Sequence, residues 1–255
     1  MPLNIVDRHK LILTKLEENG FVNVNDLSQE FDVSLVTIRK DLKLLEERKL
    51  LFRSHGRAIP VNPYITEHHV NIKEKINPKE KNSIAIAAGL TLVPHDSIII
   101  ASGTSVIEFA RHITQVEDLT VLTASLNTAL ILSENPNIDV IQLGGSVRRS
   151  SSSVVGPIGE KMLADLTFTK LFLGVDGIDI EYGLTTTNIM EASLNKQMIK
   201  AAQKIIVLAD SSKFGRKGFG RICGIEDVDQ IITDSGIDKK TKARLFELGI
   251  NVTIA

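Results

Sequence analysis

The chain has one cysteine and no tryptophan, and aromatic residues make up only 4% of its 255 positions. A lone cysteine, Cys223, excludes an internal disulfide and suits a reducing compartment. No apolar run is long enough to span a bilayer and no signal peptide opens the sequence, so the expectation is a cytoplasmic protein with no membrane partner. Neither sign of charge dominates: 30 Lys and Arg face 31 Asp and Glu, a net charge of −1 that gives no global hint of nucleic-acid binding. There is no internal repeat, and low complexity is confined to Ser150–Ser153. With 43% hydrophobic residues the chain can bury a sizeable core, and its length predicts two domains.

The charge is unevenly placed. Between Arg39 and Arg57, seven basic residues (39, 40, 43, 48, 49, 53 and 57) meet three acidic ones (41, 46 and 47), a local surplus of four positive charges. A small DNA-reading module needs such a patch. It is built around residues 34–45, SLVTIRKDLKLL. Ser34 is placed to cap a helix. Leu35, Ile38, Leu42 and Leu45 recur at helical spacing as an apolar face, leaving Thr37, Arg39, Lys40 and Lys43 on the other arc. Arg can pair two ways with guanine, Thr can meet a thymine methyl, and Lys can hold phosphates. Alone, the stretch also fits a solvated amphipathic helix.

Its surroundings favour DNA. A helix over Asp7–Glu18, with Leu11, Ile12 and Leu16 on one face, stops at Asn19-Gly20. A shorter helix runs from Asn25 or Asp26 to about Phe31, and Asp32-Val33 turns the chain into the Ser34 cap. Three short helices with the third basic make a helix-turn-helix. A strand over Leu50–Phe52, a turn at His55-Gly56 and a return strand over Ala58–Val61 predict a wing. Arg53 and Arg57 flank that turn, within reach of phosphate or the minor groove, with His55 between them as a further DNA-binding candidate. The expected division is a winged helix-turn-helix over residues 1–60, a linker over 61–80 and a second domain over 81–255. The linker region holds Pro60, Pro63 and Pro78 and the pair His68-His69; neighbouring histidines rarely share a metal, so no metal site is assigned.

From Lys79 onward strands and helices alternate. The pattern predicts helix 83–92, strand 97–101, helix 106–112, strand 120–122, helix 126–133 and strand 139–143. The second half continues with strand 171–175, helix 191–202, strand 205–209, strand 230–233, helix 239–248 and strand 251–254. Strands rich in Ile, Val and Leu joined through helices indicate an α/β domain with a mostly parallel sheet covered on both faces.

Ligands of such sheets bind beyond the carboxyl ends of the strands. There Ser102, Gly103, Thr104 and Ser105 offer amides and hydroxyls at a helix start, which favours an anion such as phosphate. Further polar loops end other strands: Thr123–Asn127 with Ser125 and Asn127, Gly144–Arg149 with Gly144, Gly145 and Arg148, and Asp176–Asp179 with Asp176. Lys213, in the loop after strand 205–209, adds a cation. Asp176 and Glu191 remain as acceptors for hydroxyls.

Arg8, Ile12 and Leu16, followed by Ser34, Thr37, Ile38, Arg39, Lys40, Asp41 and Leu42, resemble the signature of the DeoR-type bacterial transcriptional repressors. The resemblance continues through SGTS (102–105), LGG (143–145), LFLGVDGID (171–179), GLTT (183–186), Glu191-Ala192 and VLADSSKFG (207–215), and so covers essentially the whole chain. It implies a sensor domain similar to ribose-5-phosphate isomerase and places Thr185 and Glu191 among the candidate effector-binding residues. It also implies a phosphorylated sugar or sugar alcohol as effector and a role as repressor of a carbohydrate operon, nearest in kind to amino-sugar and hexitol regulators. Two positions depart from the family: His55-Gly56-Arg57 replaces His-Gly-Gly in the wing, and Ala101 stands where the family has Asp. Ala101 leaves that turn without a carboxylate for a sugar hydroxyl but leaves its amides in place.

The rival is a sugar-phosphate isomerase or deaminase with an accessory DNA-binding module, in which Asp176, Glu191 and Lys213 would be acid–base groups. A third reading, an architectural DNA-binding protein without ligand, leaves the polar strand-end loops unexplained. The complete DNA-binding signature favours a regulator: no enzyme, no cofactor, and a homodimer or homotetramer, because one reading helix contacts too few bases.

Overall fold

The computed structural model describes residues 4–19, 21–48, 50–54, 57–60, 69–114 and 116–255. It divides into two units, Met1–Thr66 and Glu67–Ala255. The expected positions Gly20, Lys49, His55, Gly56, Val61, Pro63 and His68 lie outside the described residues.

The first unit runs α1 (Ile5–Asn19), β1 (Val22–Asn23), α2 (Val24–Glu30), α3 (Leu35–Glu47), β2 (Leu51–Ser54) and β3 (Arg57–Pro60). The three helices bury Ile12, Leu16, Leu27, Phe31, Ile38, Leu42 and Leu45 in one core with Val22, Val24, Leu51 and Ala58. Asp32 turns the chain between α2 and α3 with a left-handed φ of 51°, a conformation that Asp tolerates. β2 and β3 pair antiparallel as the wing, and β1, which the sequence did not announce, adds a third strand through Val22↔Ala58 and Asn23↔Arg57. Two apolar positions expected on inward faces are exposed: Leu11 of α1 at 39%, beside the buried Ile12 and Leu16, and Leu35 at 38%, because the first turn of α3 projects beyond the core that Ile38 begins.

In the second unit, α4 (Val70–Glu74) and α5 (Pro78–Gly89) come first, so the part of the expected linker that is described is largely helical and belongs to this unit. Then follow β4 (Ser97–Ile100), α6 (Thr104–His112), β5 (Leu119–Thr123), α7 (Leu126–Ser133), β6 (Ile138–Gln142), β7 (Ser146–Arg148), β8 (Ser153–Val155), α8 (Pro157–Leu163) and β9 (Phe168–Gly174). β10 (Gly177–Asp179), β11 (Gly183–Thr186), α9 (Ile189–Lys200), β12 (Ala202–Leu208), β13 (Gly220–Cys223), β14 (Gln230–Thr233), α10 (Lys239–Glu247) and β15 (Asn251–Ile254) complete it.

Among the described residues one seven-stranded sheet runs in the order β15-β14-β12-β9-β4-β5-β6, with every pairing parallel. Alternate residues face opposite cores. Ile99, Leu171, Leu173 and Val207 pack on one side, and Ile98, Ile100, Phe172 and Ile206 on the other. That double burial explains the unbroken apolar strands in the sequence. Two small antiparallel sheets, β10-β11-β13 and β7-β8, were not foreseen. Gly183–Thr186 is a strand that leads into α9, with Thr185 Oγ1 donating to Gly177 O at 3.2 Å and accepting from the Gly218 amide at 2.7 Å. Gly183, at φ +94°, passes so near Cys223 that a Cβ would lie 2.0 Å from the Cys223 carbonyl oxygen.

No helix among the described residues is long and apolar enough to cross a membrane. Among the same residues no cluster of three or more His, Cys, Asp or Glu is placed to hold a metal, and His69 caps α4, its Nδ1 accepting from the Asn71 amide at 3.3 Å. Cys223 is buried, and its thiol is pushed up to about 12 by burial and then by Asp227.

Candidate functional site

In the first unit, α3 carries the exposed basic face. Ser34 caps it: Oγ accepts from the Thr37 amide at 3.1 Å and lies 2.9 Å from Thr37 Oγ1. Both hydroxyls are therefore engaged in holding the helix start, and Thr37 is half-buried. Arg39, Lys40 and Lys43 are exposed, with Lys43 Nζ 3.9 Å from Glu47. Asp41 faces the opposite way, into the core, where it meets Arg8 and His9. Arg53 is committed to Glu46, through its amide at 2.9 Å and its Nε at 2.6 Å. These bonds, the backbone one foremost, hold the Glu46 carboxyl below its usual range. The Arg57 guanidinium sits 5.0 Å from the ring centre of Phe21. Leu35 and Val36, 38% and 58% exposed, extend the outward face of α3 and escaped the sequence reading, since apolar residues were assigned inward.

The second unit has its cavity where chain order in the sheet reverses. From β4 the chain proceeds outward through β5 to β6, then returns to β9 on the other flank of β4. The loops after β4 and β9 consequently part in opposite directions and leave a crevice at the carboxyl edge. At its floor they touch: a Cβ on Gly174 would lie 2.9 Å from the Ser102 carbonyl oxygen, so only glycine permits this approach. The cavity holds about 560 Å³ with its open mouth included, a size that suits a small ligand.

Ser102, Gly103, Thr104, Ser105, Arg148, Asp176, Glu191 and Lys213, all expected from the sequence, line this one cavity. Gly103, at φ +130°, is the N-cap of α6 and no side chain caps the helix, so the first amides of α6 are open to a ligand. Val70, Lys73, Ser150, Ser151, Gly174, Val175 and Thr186 also line it and were missed. The other candidates do not reach it. Ser125 is fully buried as the cap of α7, its Oγ accepting from the Thr128 amide at 3.2 Å. Asn127 lies within α7, Gly144 and Gly145 precede β7 against Ile158 and Val155, and Thr185 is spent on β10 and Gly218.

Three cations and two carboxylates share the cavity wall. Lys73 Nζ donates to Asp176 Oδ1 at 2.7 Å, and the Thr187 amide donates to Asp176 Oδ2 at 3.1 Å. Burial works to raise the Asp176 carboxyl, but Lys73 and Lys213 prevail and hold it well below the usual carboxylate range. Arg148 Nη1 donates to Glu191 Oε2 at 2.5 Å and Ser102 Oγ to Glu191 Oε1 at 2.6 Å. Burial and the neighbouring Asp176 charge nevertheless push Glu191 up. Lys213 differs: among the described residues its ammonium donates no hydrogen bond, and burial lowers it against the pull of Asp210 and Asp176. A desolvated ammonium without an acceptor and open helix amides are groups that attract an anion.

Two family models match the chain: a DeoR-like helix-turn-helix domain over residues 8–63 and a DeoR C terminal sensor domain over residues 76–235. A protein of Escherichia coli O157:H7 that bears the name of an aga operon transcriptional repressor is 38% identical over 97% of this chain and 93% of its own. The HTH-type transcriptional regulator GlpR of Haloferax volcanii is 34% identical over 96% of both chains. The HTH-type transcriptional regulator GolR of Listeria innocua is 32% identical over 98% of both. Among solved structures, ribose 5 phosphate isomerase A from Neisseria gonorrhoeae aligns with 53% of each chain at a TM-score of 0.39 and 15% identity, a likeness too distant to speak to activity. The resemblance carried by Arg8 through Leu42 and by residues 102–215 is borne out, and the chain belongs to the DeoR family of helix-turn-helix transcriptional regulators.

Proposed function

We propose that this protein is a cytoplasmic repressor of a carbohydrate operon whose grip on operator DNA is set by a phosphorylated sugar or sugar alcohol in the switch-point cavity. The observation that carries the effector is Lys213, an ammonium lacking a hydrogen-bond acceptor among the described residues, in the same cavity as the uncapped start of α6. The anionic group goes to Lys213 and the amides of Thr104 and Ser105, and Asp176, Glu191 and Arg148 meet hydroxyls at the other end. The names of relatives, among them an aga operon repressor, support the sugar side of this reading. On the DNA side, Arg39, Lys40 and Lys43 reach the duplex from the outward face of α3, with Val36 beside them and Arg57 on the wing.

The enzyme reading loses ground on the same geometry. Isomerisation needs a carboxylate able to take a proton from carbon. Asp176 is held by Lys73 and Glu191 by Arg148 and Ser102, so neither stands as a poised base. The test is anisotropy of labelled operator DNA titrated with the protein, with and without a panel of pentose, hexose and hexitol phosphates, alongside a turnover assay on the same panel. A several-fold shift in DNA affinity by one compound, without turnover, is the expected result. Turnover without any shift overturns the proposal.

A further inference from the structure

α4 is the first described helix after residues 61–68 and is fastened to the second unit largely by polar groups. Its first amide, that of Val70, donates to the Ser150 carbonyl oxygen at 2.7 Å, and the Val70 side chain is buried. Lys73 reaches across to Asp176 at 2.7 Å. At the other end Lys81 of α5 donates to the carbonyl oxygens of Lys73 at 2.6 Å and Ile76 at 2.5 Å, holding the final turn from below. Glu74 accepts from Arg111 of α6 at 3.2 Å. Asn77 then takes a left-handed φ of 50° and donates to Asp210 at 3.0 Å, fixing the bend into α5.

Two of these anchors, Ser150 and Asp176, line the cavity, as does Lys73 itself. An ammonium has three protons to give. Among the described residues Lys73 Nζ gives one, to Asp176. Arg148 ends β7 and Lys213 follows β12, whereas Lys73 is the cavity cation carried by the segment that leads back along the chain toward the DNA-binding unit.

We infer that Lys73 is an effector-binding residue, its ammonium shared between Asp176 and the anionic group of the ligand, so that the ligand pins α4 to the sensor domain. The inference rests on the reading of the cavity as an anion site. A ligand that touches Lys73 binds the docked form of α4 better than an undocked one and must favour it by that difference. In sequence α4 is the first described helix of the second unit and follows the first unit, so a ligand that pins α4 acts on the segment nearest the DNA-binding unit along the chain. That gives the two conformations unequal affinity for the ligand, which coupling to DNA requires.

The test is amide hydrogen exchange on the full chain beside calorimetry, with ribose 5-phosphate, a set of hexose and hexitol phosphates, and inorganic phosphate as probes. The tightest binder should slow exchange at residues 70–76 several-fold. Lys73→Met should bind that compound roughly tenfold more weakly, about the worth of one charge-assisted hydrogen bond, and show no added protection. Lys73→Arg should keep both, which guards against a simple folding defect, and Lys75→Met, at an exposed neighbour, should behave as wild type. Binding without slowed exchange at 70–76, or protection that survives Lys73→Met, overturns the inference while leaving the anion site standing. Failure of every probe to bind the wild-type protein removes the anion site and the inference with it.

Discussion

Asp41 accepts from Arg8 Nε at 2.5 Å and from Arg8 Nη2 at 3.0 Å, a pair 33 residues apart that clasps α1 to the buried side of α3. His9 Nε2 lies 3.1 Å from the same carboxylate. Removing one partner of such a pair leaves a buried charge uncompensated, which costs about 3–5 kcal/mol. Asp41→Ala should therefore unfold the first unit at lower denaturant and abolish DNA binding while the second unit's transition stays put. Circular dichroism along a urea titration reads this. A change below about 1 kcal/mol would show that the pair does not hold the unit together.

Arg39→Ala should lower the preference for a selected site over random DNA by about 1–3 kcal/mol, the worth of a bidentate guanine contact. Lys43→Ala should weaken binding to all sequences and reduce the salt slope by about 1. Competition binding at several salt concentrations separates the two. An unchanged ratio of specific to random affinity in Arg39→Ala would contradict the assignment of α3 as the reading helix.

The fold was largely legible because its signals are local. Ser34, the apolar spacing of Ile38, Leu42 and Leu45, and the strand 230–233 are all stated within a few residues. What stayed hidden depends on distant partners. Nothing in the run Lys73-Glu74-Lys75 tells that Lys73 meets Asp176, 103 residues on, while Lys75 stays exposed. Gly183–Thr186 is a strand only through the ladders that β13 and β10 supply, partners that the four residues themselves do not announce. Leu35 and Val36 are apolar, and only the tertiary packing of α3 shows that they face outward. In the cavity, Ser102–Ser105 after β4 and Asp176 after β9 were found by topology, whereas Gly174 and Val175 at the end of β9, which carry no polar side chain, were not. Ser125 and Thr185 were not excluded because their hydroxyls look alike whether they serve a ligand or a cap.

Lys81 gives a pH signature. Burial lowers its amine from 10.5 to about 8, against the pull of Asp210 and Glu74 and with the push of Lys213 and Lys73. Between those two values the unfolded chain binds the extra proton, so this residue makes stability rise with pH across that window. Cys223 works oppositely, since its raised thiol favours the fold less as pH climbs past 9. The difference between wild type and Lys81→Met isolates the lysine. Urea midpoints from pH 7.5 to pH 10 should climb for wild type relative to the variant. Parallel curves would contradict the burial of a charged amine at this site.

One reading helix meets too few bases for a selective site, and two-fold symmetry doubles the contact. Sedimentation at micromolar concentration should show a dimer or tetramer of the 28.0 kDa chain. A single 28.0 kDa species would count against it.

The central claim is that the cavity after β4 and β9 binds the phosphate of a sugar-derived effector. Calorimetry with the responsive compound and its dephosphorylated parent, on wild type and Lys213→Ala, tests it most directly. The account predicts that the phosphorylated form binds wild type at least tenfold more tightly than its parent, a gap of about 1.4 kcal/mol or more. It also predicts that Lys213→Ala closes most of that gap. Equal affinity of wild type for the two compounds would contradict it.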